Sequence, residues 1–147
     1  MRREEAIDLL KKKGIKVTRQ RVEILSVLSN ALVPVSADEI YGIVVKNGKM
    51  SINLSTIYRV LDALTQKGIL LKSNLNLDGR FTYEFNRNEH KHHIICIECN
   101  EIIPVKGCPL MEYESELEMS TGYKIMEHSL ELRGICPKCQ KKRSSDF

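Results

Sequence analysis

Two kinds of side chain suited to holding metal ions gather in the second half of this 147-residue sequence. Three of the four histidines, His90, His92 and His93, fall within four residues and run into the apolar stretch Ile94-Ile95 and the pair Cys96-x-x-Cys99. A second pair, Cys136-x-x-Cys139, follows after 36 intervening residues. Each Cys-x-x-Cys turn offers two thiolates to one ion, and two such turns close a tetrahedral four-sulfur zinc site. That site would contribute roughly 10–16 kcal/mol of apparent binding energy to folding, against about 2–4 kcal/mol for a disulfide. Two disulfides, a redox pair and coincidence are the competing readings. In a reducing compartment five cysteines fit metal ligation better. Imidazoles also bind late first-row metals. Alternation along a strand puts His90 and His92 on one face and His93 on the other. His128 shares a face with Met126, Leu130 and Leu132, where a buried core histidine is the plainer reading. Cys108 belongs to neither cysteine pair, so a half-buried apolar thiol and a ligand stand as alternatives.

A deaminase also pairs Cys-x-x-Cys with zinc, but it needs His-x-Glu and an open coordination position. Neither is present here. The sequence therefore points away from an enzyme, although a zinc-ribbon interaction module without sensing remains a rival.

The elements that must carry these ligands come in two groups. At 147 residues, 42% apolar and 29% charged, the chain holds one ordinary domain or two small ones. No apolar run is long enough to cross a bilayer, and the charged start Met1-Arg2-Arg3-Glu4-Glu5 is not a signal peptide. The expected location is cytoplasmic. The net charge of +4 divides into +6 for residues 1–80 and −2 for residues 81–147. A basic front half suits a polyanion partner, and a solvated basic surface accounts for it equally well.

The front half reads as helices. Residues 2 to 13 space Ile7, Leu9 and Leu10 helically and end at Gly14. Thr18 caps a second helix with Val22, Leu25 and Leu28 inward. Ser36-x-x-Glu39 is a capping box opening a third helix, expected to stop near Asn47-Gly48. Ser55 is expected to cap a fourth, with Ile57, Val60, Leu61 and Leu64 on one side, ending at Gly68. Residues 69–73 and 81–85 form two strands about an Asp78-Gly79 turn. Helices followed by a β-hairpin give a winged helix-turn-helix. Its fourth helix turns Ser55, Arg59 and Asp62 outward with Tyr58 on the flank, as a major groove requires, and the basic segment Lys16 to Arg21 precedes it. For any one of these residues a solvated helix face is the simpler alternative.

Residues 86–89 form a hinge. Beyond it come strands at residues 92–97 and 102–105, an acidic helix with Pro109 in its first turn and a break at Thr121-Gly122. A strand from Tyr123 to Leu132 and a mobile basic tail from Gln140 to Phe147 complete the expected pattern. The fold class is α+β: a winged-helix DNA-binding domain at residues 1–85, then a small α/β dimerisation and metal-binding domain at residues 90–147.

Taken together, His-x-His-His-x-x-Cys-x-x-Cys, His128-Ser-Leu, the last Cys-x-x-Cys and the stretch Ser55-Thr56-Ile57-Tyr58-Arg59-Val60-Leu61 resemble the ferric uptake regulator superfamily. The resemblance runs from Lys16-Val17-Thr18-Arg19-Gln20-Arg21 to Cys139. It implies a homodimeric repressor that binds a palindromic double-stranded DNA operator when loaded with a divalent metal, Fe2+ or Zn2+, and controls metal-uptake genes. A peroxide-sensing relative is the alternative. By position, Lys16 corresponds to a minor-groove lysine and Tyr58 and Arg59 to major-groove and backbone contacts, with Arg19, Arg21, Ser55 and Thr56 beside them. Cys96, Cys99, Cys136 and Cys139 correspond to a structural zinc site. His90, His92 and His128 fall on a regulatory site in the dimer domain, where Met111 replaces the acid and Glu112 would serve. A hinge site retains Glu84 and His93, with Cys108 a possible sulfur donor because Cys108-Pro109 is similar to zinc-sensing members. Pro34, Lys91 and Pro104 stand where that hinge site has ligands in the family.

Overall fold

A computed structural model describes residues 1–46, 50–74 and 79–145 of the chain. The backbone divides into two units, Met1–Arg87 and Asn88–Phe147.

The first unit begins with α1 (Arg3–Lys12) and α2 (Arg19–Asn30). Both α1 and α4 (Leu54–Gln66) stop by the same device. Gly14 (φ +71) and Gly68 (φ +74) take left-handed backbone, which costs a residue without a Cβ little. The following amides reach back five residues, Ile15 to the Leu10 carbonyl at 2.9 Å and Ile69 to the Leu64 carbonyl at 3.0 Å. All four of those side chains are buried, so each cap also closes an apolar contact.

The N-termini follow the side chains available to accept. Thr18 Oγ1 takes the Arg21 amide at 3.2 Å. Ser36 Oγ takes the Glu39 amide at 3.2 Å and Glu39 returns the bond to the Ser36 amide at 2.9 Å, a reciprocal box opening α3 (Ala37–Lys46). The expected stop of this helix at Asn47-Gly48 lies outside the described residues. For α4 the cap is Asn53, not Ser55: its side-chain oxygen accepts the Thr56 amide at 2.8 Å, so the helix starts earlier. Ser55 is left in the first turn with its side chain outward.

The sheet of this unit has the order β1 (Val35–Ser36), β3 (Thr82–Phe85), β2 (Leu70–Ser73), all antiparallel. β2 and β3 form the expected hairpin; Asp78 of its turn lies outside the described residues. Leu10, Ile24, Leu25, Leu28, Ile40, Ile57, Leu61, Leu64, Leu70 and Tyr83 are fully buried in one core. At about 1.5–3 kcal/mol per large side chain, this core is ample for a unit of its size.

The second unit is built differently. Its sheet has β4 (His92–Cys96) in the centre, antiparallel to β5 (Ile102–Val105) and parallel to β6 (Glu131–Gly134). Between β5 and β6 runs α5 (Met111–Thr121), ended by Gly122 at φ +76, and α6 (Pro137–Ser145) closes the described chain. The sequence expected a strand over residues 123–132, but pairing is confined to Glu131–Gly134. Residues 123–130 instead cross back towards β4. The tail expected to be mobile is helical as far as Ser145, with Pro137 at its first position, where a missing N–H costs nothing. Arg143 pairs with Glu98 and Gln140 donates to the Ile135 carbonyl at 2.7 Å, tying the helix down. Asp146 and Phe147 lie outside the described residues. Among the described residues of this unit only Ile95, Cys96, Cys139, His92 and His93 are buried, and two of these five are cysteines of the paired turns.

Candidate metal centres and nucleic-acid interface

The first Cys-x-x-Cys is the turn of the β4–β5 hairpin. Asn100 in left-handed backbone (φ +62) donates to the Cys96 carbonyl at 3.0 Å, and the Cys96 amide reaches the Glu101 carbonyl at 2.9 Å. The second lies between β6 and the first turn of α6. Parallel pairing of Cys96 with Gly134 brings the two turns together. All four Sγ atoms lie within 4.8 Å of one another, and Cys99 and Cys136 are 3.7 Å apart. A tetrahedron of Zn–S bonds has edges of roughly 3.8 Å. The five cysteines are all free, so no disulfide competes for these sulfurs.

Their electrostatics favour a cation. Backbone N–H groups of Cys99 and Cys136 draw the Cys96 thiol down to about 6, with the Cys136 amide 3.3 Å from its sulfur. Cys139, hydrogen-bonded to Cys136 and buried, is pushed up to about 12. Four sulfurs around one point ionise together only when a positive charge sits among them. The donor set and spacing therefore fit zinc.

A second group of ligand atoms converges from three segments: His90 and His92 at the start of β4, Cys108 after β5, and His128 before β6. His92 Nε2 is 3.3 Å from Cys108 Sγ and 3.2 Å from His128 Nε2. Cys108 Sγ is 3.3 Å from His128 Nε2, and His90 Nε2 is 2.5 Å from it. The outer nitrogens are fixed. His92 Nδ1 donates to the Leu130 carbonyl at 3.2 Å, which leaves the Nε2 lone pair facing the group. His128 Nδ1 meets the Glu114 carboxylate. This is the second shell that metal-bound histidines commonly carry. Burial lowers the His92 pKa, opposed by the Leu130 carbonyl, so its neutral, ligating form is favoured.

Two expectations change here. Glu112 is exposed and is not among the converging atoms; Glu114 supports His128 instead. Two helix positions differ by roughly 200° around the axis, so these acids cannot share a side. No sequence signal separated them, because glutamates stand at 112, 114, 116 and 118 alike. Cys108, expected with the hinge residues Glu84 and His93, stands with His90, His92 and His128. The turn at Gly107 (φ +75) redirects the chain after β5 before Cys108. Glu84 is on β3 in the first unit and His93 is buried on β4 in the second. Neither joins a group of three or more ligand atoms among the described residues. Of the family's substituted hinge positions, Pro34 is buried before β1, Lys91 pairs with Glu89 at 3.6 Å, and Pro104 lies opposite His93 in the sheet.

In the first unit the apolar stripe of α4 is inward, which leaves Ser55, Tyr58 and Arg59 exposed on the other side. Thr56 is half-buried and its hydroxyl meets the Asn53 side chain at 2.7 Å, so that group is engaged in the cap. Lys16 and Arg19 are exposed. The Arg21 guanidinium donates to the Lys16 carbonyl at 2.7 Å and so holds the segment that displays Lys16.

A model of the ferric uptake regulator family matches residues 12–133. The chain is 34% identical over 134 residues to the ferric uptake regulation protein of Neisseria meningitidis (serogroup A), covering 90% of this chain and 92% of that one. It is 36% identical over 128 residues to the protein of the same name from Yersinia pestis, covering 86% and 85%. Among solved structures it is similar to the Vibrio cholerae ferric uptake regulator (TM-score 0.77, 31% identity, covering 88% and 98%). It is equally similar to the Helicobacter pylori regulator, described as having three functional metal-binding sites (TM-score 0.77, 27% identity, covering 95% of each). With matched sequence spanning both units and a fold shared at that level, the chain belongs to the ferric uptake regulator family.

Proposed function

We propose that this chain is a metal-dependent transcriptional repressor, active in the cytoplasm as a homodimer on a palindromic DNA operator. In this reading Cys96, Cys99, Cys136 and Cys139 hold a structural zinc. The site carrying His90, His92 and His128 takes the regulatory divalent ion, iron or zinc. The observation that carries the reading is that second group. A closed four-sulfur site has no reason to respond to its surroundings, whereas a group drawn from three separate segments, with imidazoles on two of them, would tie those segments together when an ion enters. The relatives' names are those of regulators, and the chain acts in this reading as a regulator and not as an enzyme.

The other parts follow from what each unit exposes. Tyr58 and Arg59 on α4 would meet the major groove and backbone, with Ser55 and Arg19 on phosphates and Lys16 at the minor groove. Residues 1–87 would thus bind DNA. α5 buries none of its residues and leaves Met111, Tyr113 and Met119 exposed, with Tyr123 and Met126 beyond it. Apolar surface on that scale suits a second copy of the chain, which would make residues 88–147 the dimerisation unit. Metal and DNA then each raise the other's affinity, because both prefer the same dimer arrangement.

The test is a DNA-binding titration on protein that retains one zinc per chain. A second divalent ion should raise operator affinity by about 5–150-fold, the usual range of such coupling. Affinity that ignores every added ion would leave a zinc-ribbon interaction module in its place. Affinity lost on peroxide treatment in the iron-loaded form would favour a peroxide sensor.

A further inference from the structure

We propose that Cys108 is a thiolate ligand of the regulatory ion, giving a closed four-coordinate site of three nitrogens and one sulfur that selects zinc over iron and manganese. The inference rests on the metal-sensing reading above and names the ion that reading leaves open. No motif pairs Cys108 with the histidines. The fold does so, by turning the chain at Gly107 and returning residues 123–130 across β4.

Three observations carry it. The Cys108 sulfur is equidistant, at 3.3 Å, from His92 Nε2 and His128 Nε2, and those nitrogens are 3.2 Å apart. Ions bound at Zn–N of ~2.0–2.1 Å and Zn–S of ~2.3 Å set their donors roughly 3.3–3.6 Å apart, so these three atoms already stand close to one face of a tetrahedron. His90 Nε2, 2.5 Å from His128 Nε2 and within 4.8 Å of the other two donor atoms, supplies the fourth corner. Second, among the described residues no carboxylate oxygen joins the converging atoms: Glu114 stands behind His128, on its Nδ1. Harder ions such as manganese prefer oxygen donors, and non-haem iron sites commonly combine two histidines with a carboxylate and keep positions open. Third, the bonds on the outer nitrogens of His92 and His128 aim both Nε2 lone pairs at the same point as the sulfur. On metal binding the Cys108 thiol releases its proton to solvent, and a sulfur–metal bond replaces the sulfur–hydrogen bond.

Protein holding one zinc per chain is titrated with Co2+ as a spectroscopic probe of the second position. The expected spectrum has the intense visible bands of four-coordinate cobalt and a near-ultraviolet sulfur-to-cobalt charge-transfer band. Cys108→Ser should lose the charge-transfer band. It should also bind Zn2+ more weakly by at least the roughly 10–100-fold that loss of an outer partner costs, with Mn2+ affinity little changed. A variant that keeps both the band and wild-type zinc affinity overturns the proposal. Zinc-edge X-ray absorption on the wild-type protein loaded with two zincs needs no variant to fold. Five sulfurs and three nitrogens shared by two ions support the assignment, and four sulfurs with four lighter donors overturn it. The two readings separate cleanly. A second ion held by Cys108 that leaves DNA affinity unchanged supports the ligand and removes the sensing role. Metal-responsive DNA binding in a Cys108→Ser protein of wild-type zinc affinity does the reverse.

Discussion

At the proposed regulatory site Glu114 would support the metal without contributing a ligand atom. Its carboxylate holds His128 Nδ1, which orients the ring so that Nε2 faces the other donor atoms. Glu114→Gln should weaken binding at this position by about 10–100-fold, whereas Glu112→Gln, altering an exposed side chain, should leave it nearly unchanged. A competition titration against a coloured chelator reads both, and equal losses would show that helix charge, not the Glu114–His128 bond, sets the affinity. His92 gives this unit a pH dependence whose sign is fixed. Burial holds its pKa below the ordinary 6.5, so the folded state favours the neutral ring. That contribution to stability is complete above the unfolded value and is lost as pH falls through the lower folded one. Thermal melts between about pH 5 and 8 should show the second unit weakening on the acid side, with a shallower decline in His92→Asn. An unchanged acid limb in the variant would assign the decline to other groups.

At the scale of elements, the local signals that proved readable are those in which one residue type does one backbone task. Gly14 and Gly68 end their helices through left-handed backbone, and the Ser36 and Glu39 pair opens α3 in the reciprocal form that its spacing suggests. Capping by Asn53 in place of Ser55 shows the limit, because Asn and Ser accept the same amide bond about equally well. The 123–130 stretch departs from its strand-like pattern for a different reason. Its alternation suits a strand, but in the parallel register Glu131 already lies opposite His93, beside the start of β4 at His92, so the residues before it run past the end of β4. That displacement is also what delivers His128 to His92, so the part of the site least visible in the sequence depends on tertiary pairing. α4 offers a cleaner case, since burying Ile57, Val60, Leu61 and Leu64 fixes which residues face out. Arg59→Ala should cost about 1–3 kcal/mol if Arg59 reads a base edge, with preference relaxed at that base pair. If it grips phosphate, affinity should drop across all sequences and the salt dependence should flatten. Binding measured on operator and scrambled DNA at two salt concentrations tells these apart, and no change in either would remove α4 from the interface.

The whole chain places its stability unevenly, and that asymmetry predicts how it comes apart. The first unit has an apolar core running through α1 to α4 and β3. The second buries Ile95, two histidines and two cysteines of the paired turns, too little to stand on the hydrophobic effect alone. A four-sulfur zinc site with roughly 10–16 kcal/mol of apparent binding energy would supply what such a core lacks. It would do so at the place where the hairpin turn, the end of β6 and the start of α6 meet. Cys96→Ser should therefore unfold the second unit and leave the first intact, because no side chain of the first unit's core belongs to the metal site. Amide hydrogen exchange separates the two regions directly. Protection should vanish across residues 88–145 while α2 and α4 keep theirs, and removal of zinc from the wild-type protein by a strong chelator should reproduce the pattern. Loss of the second unit would also remove the apolar surface of α5 from any dimer contact. The variant should then run as a monomer and bind operator half-sites no better than non-specific DNA. Full protection across both units in the zinc-free protein would mean that the four cysteines only tune a fold that stands without them.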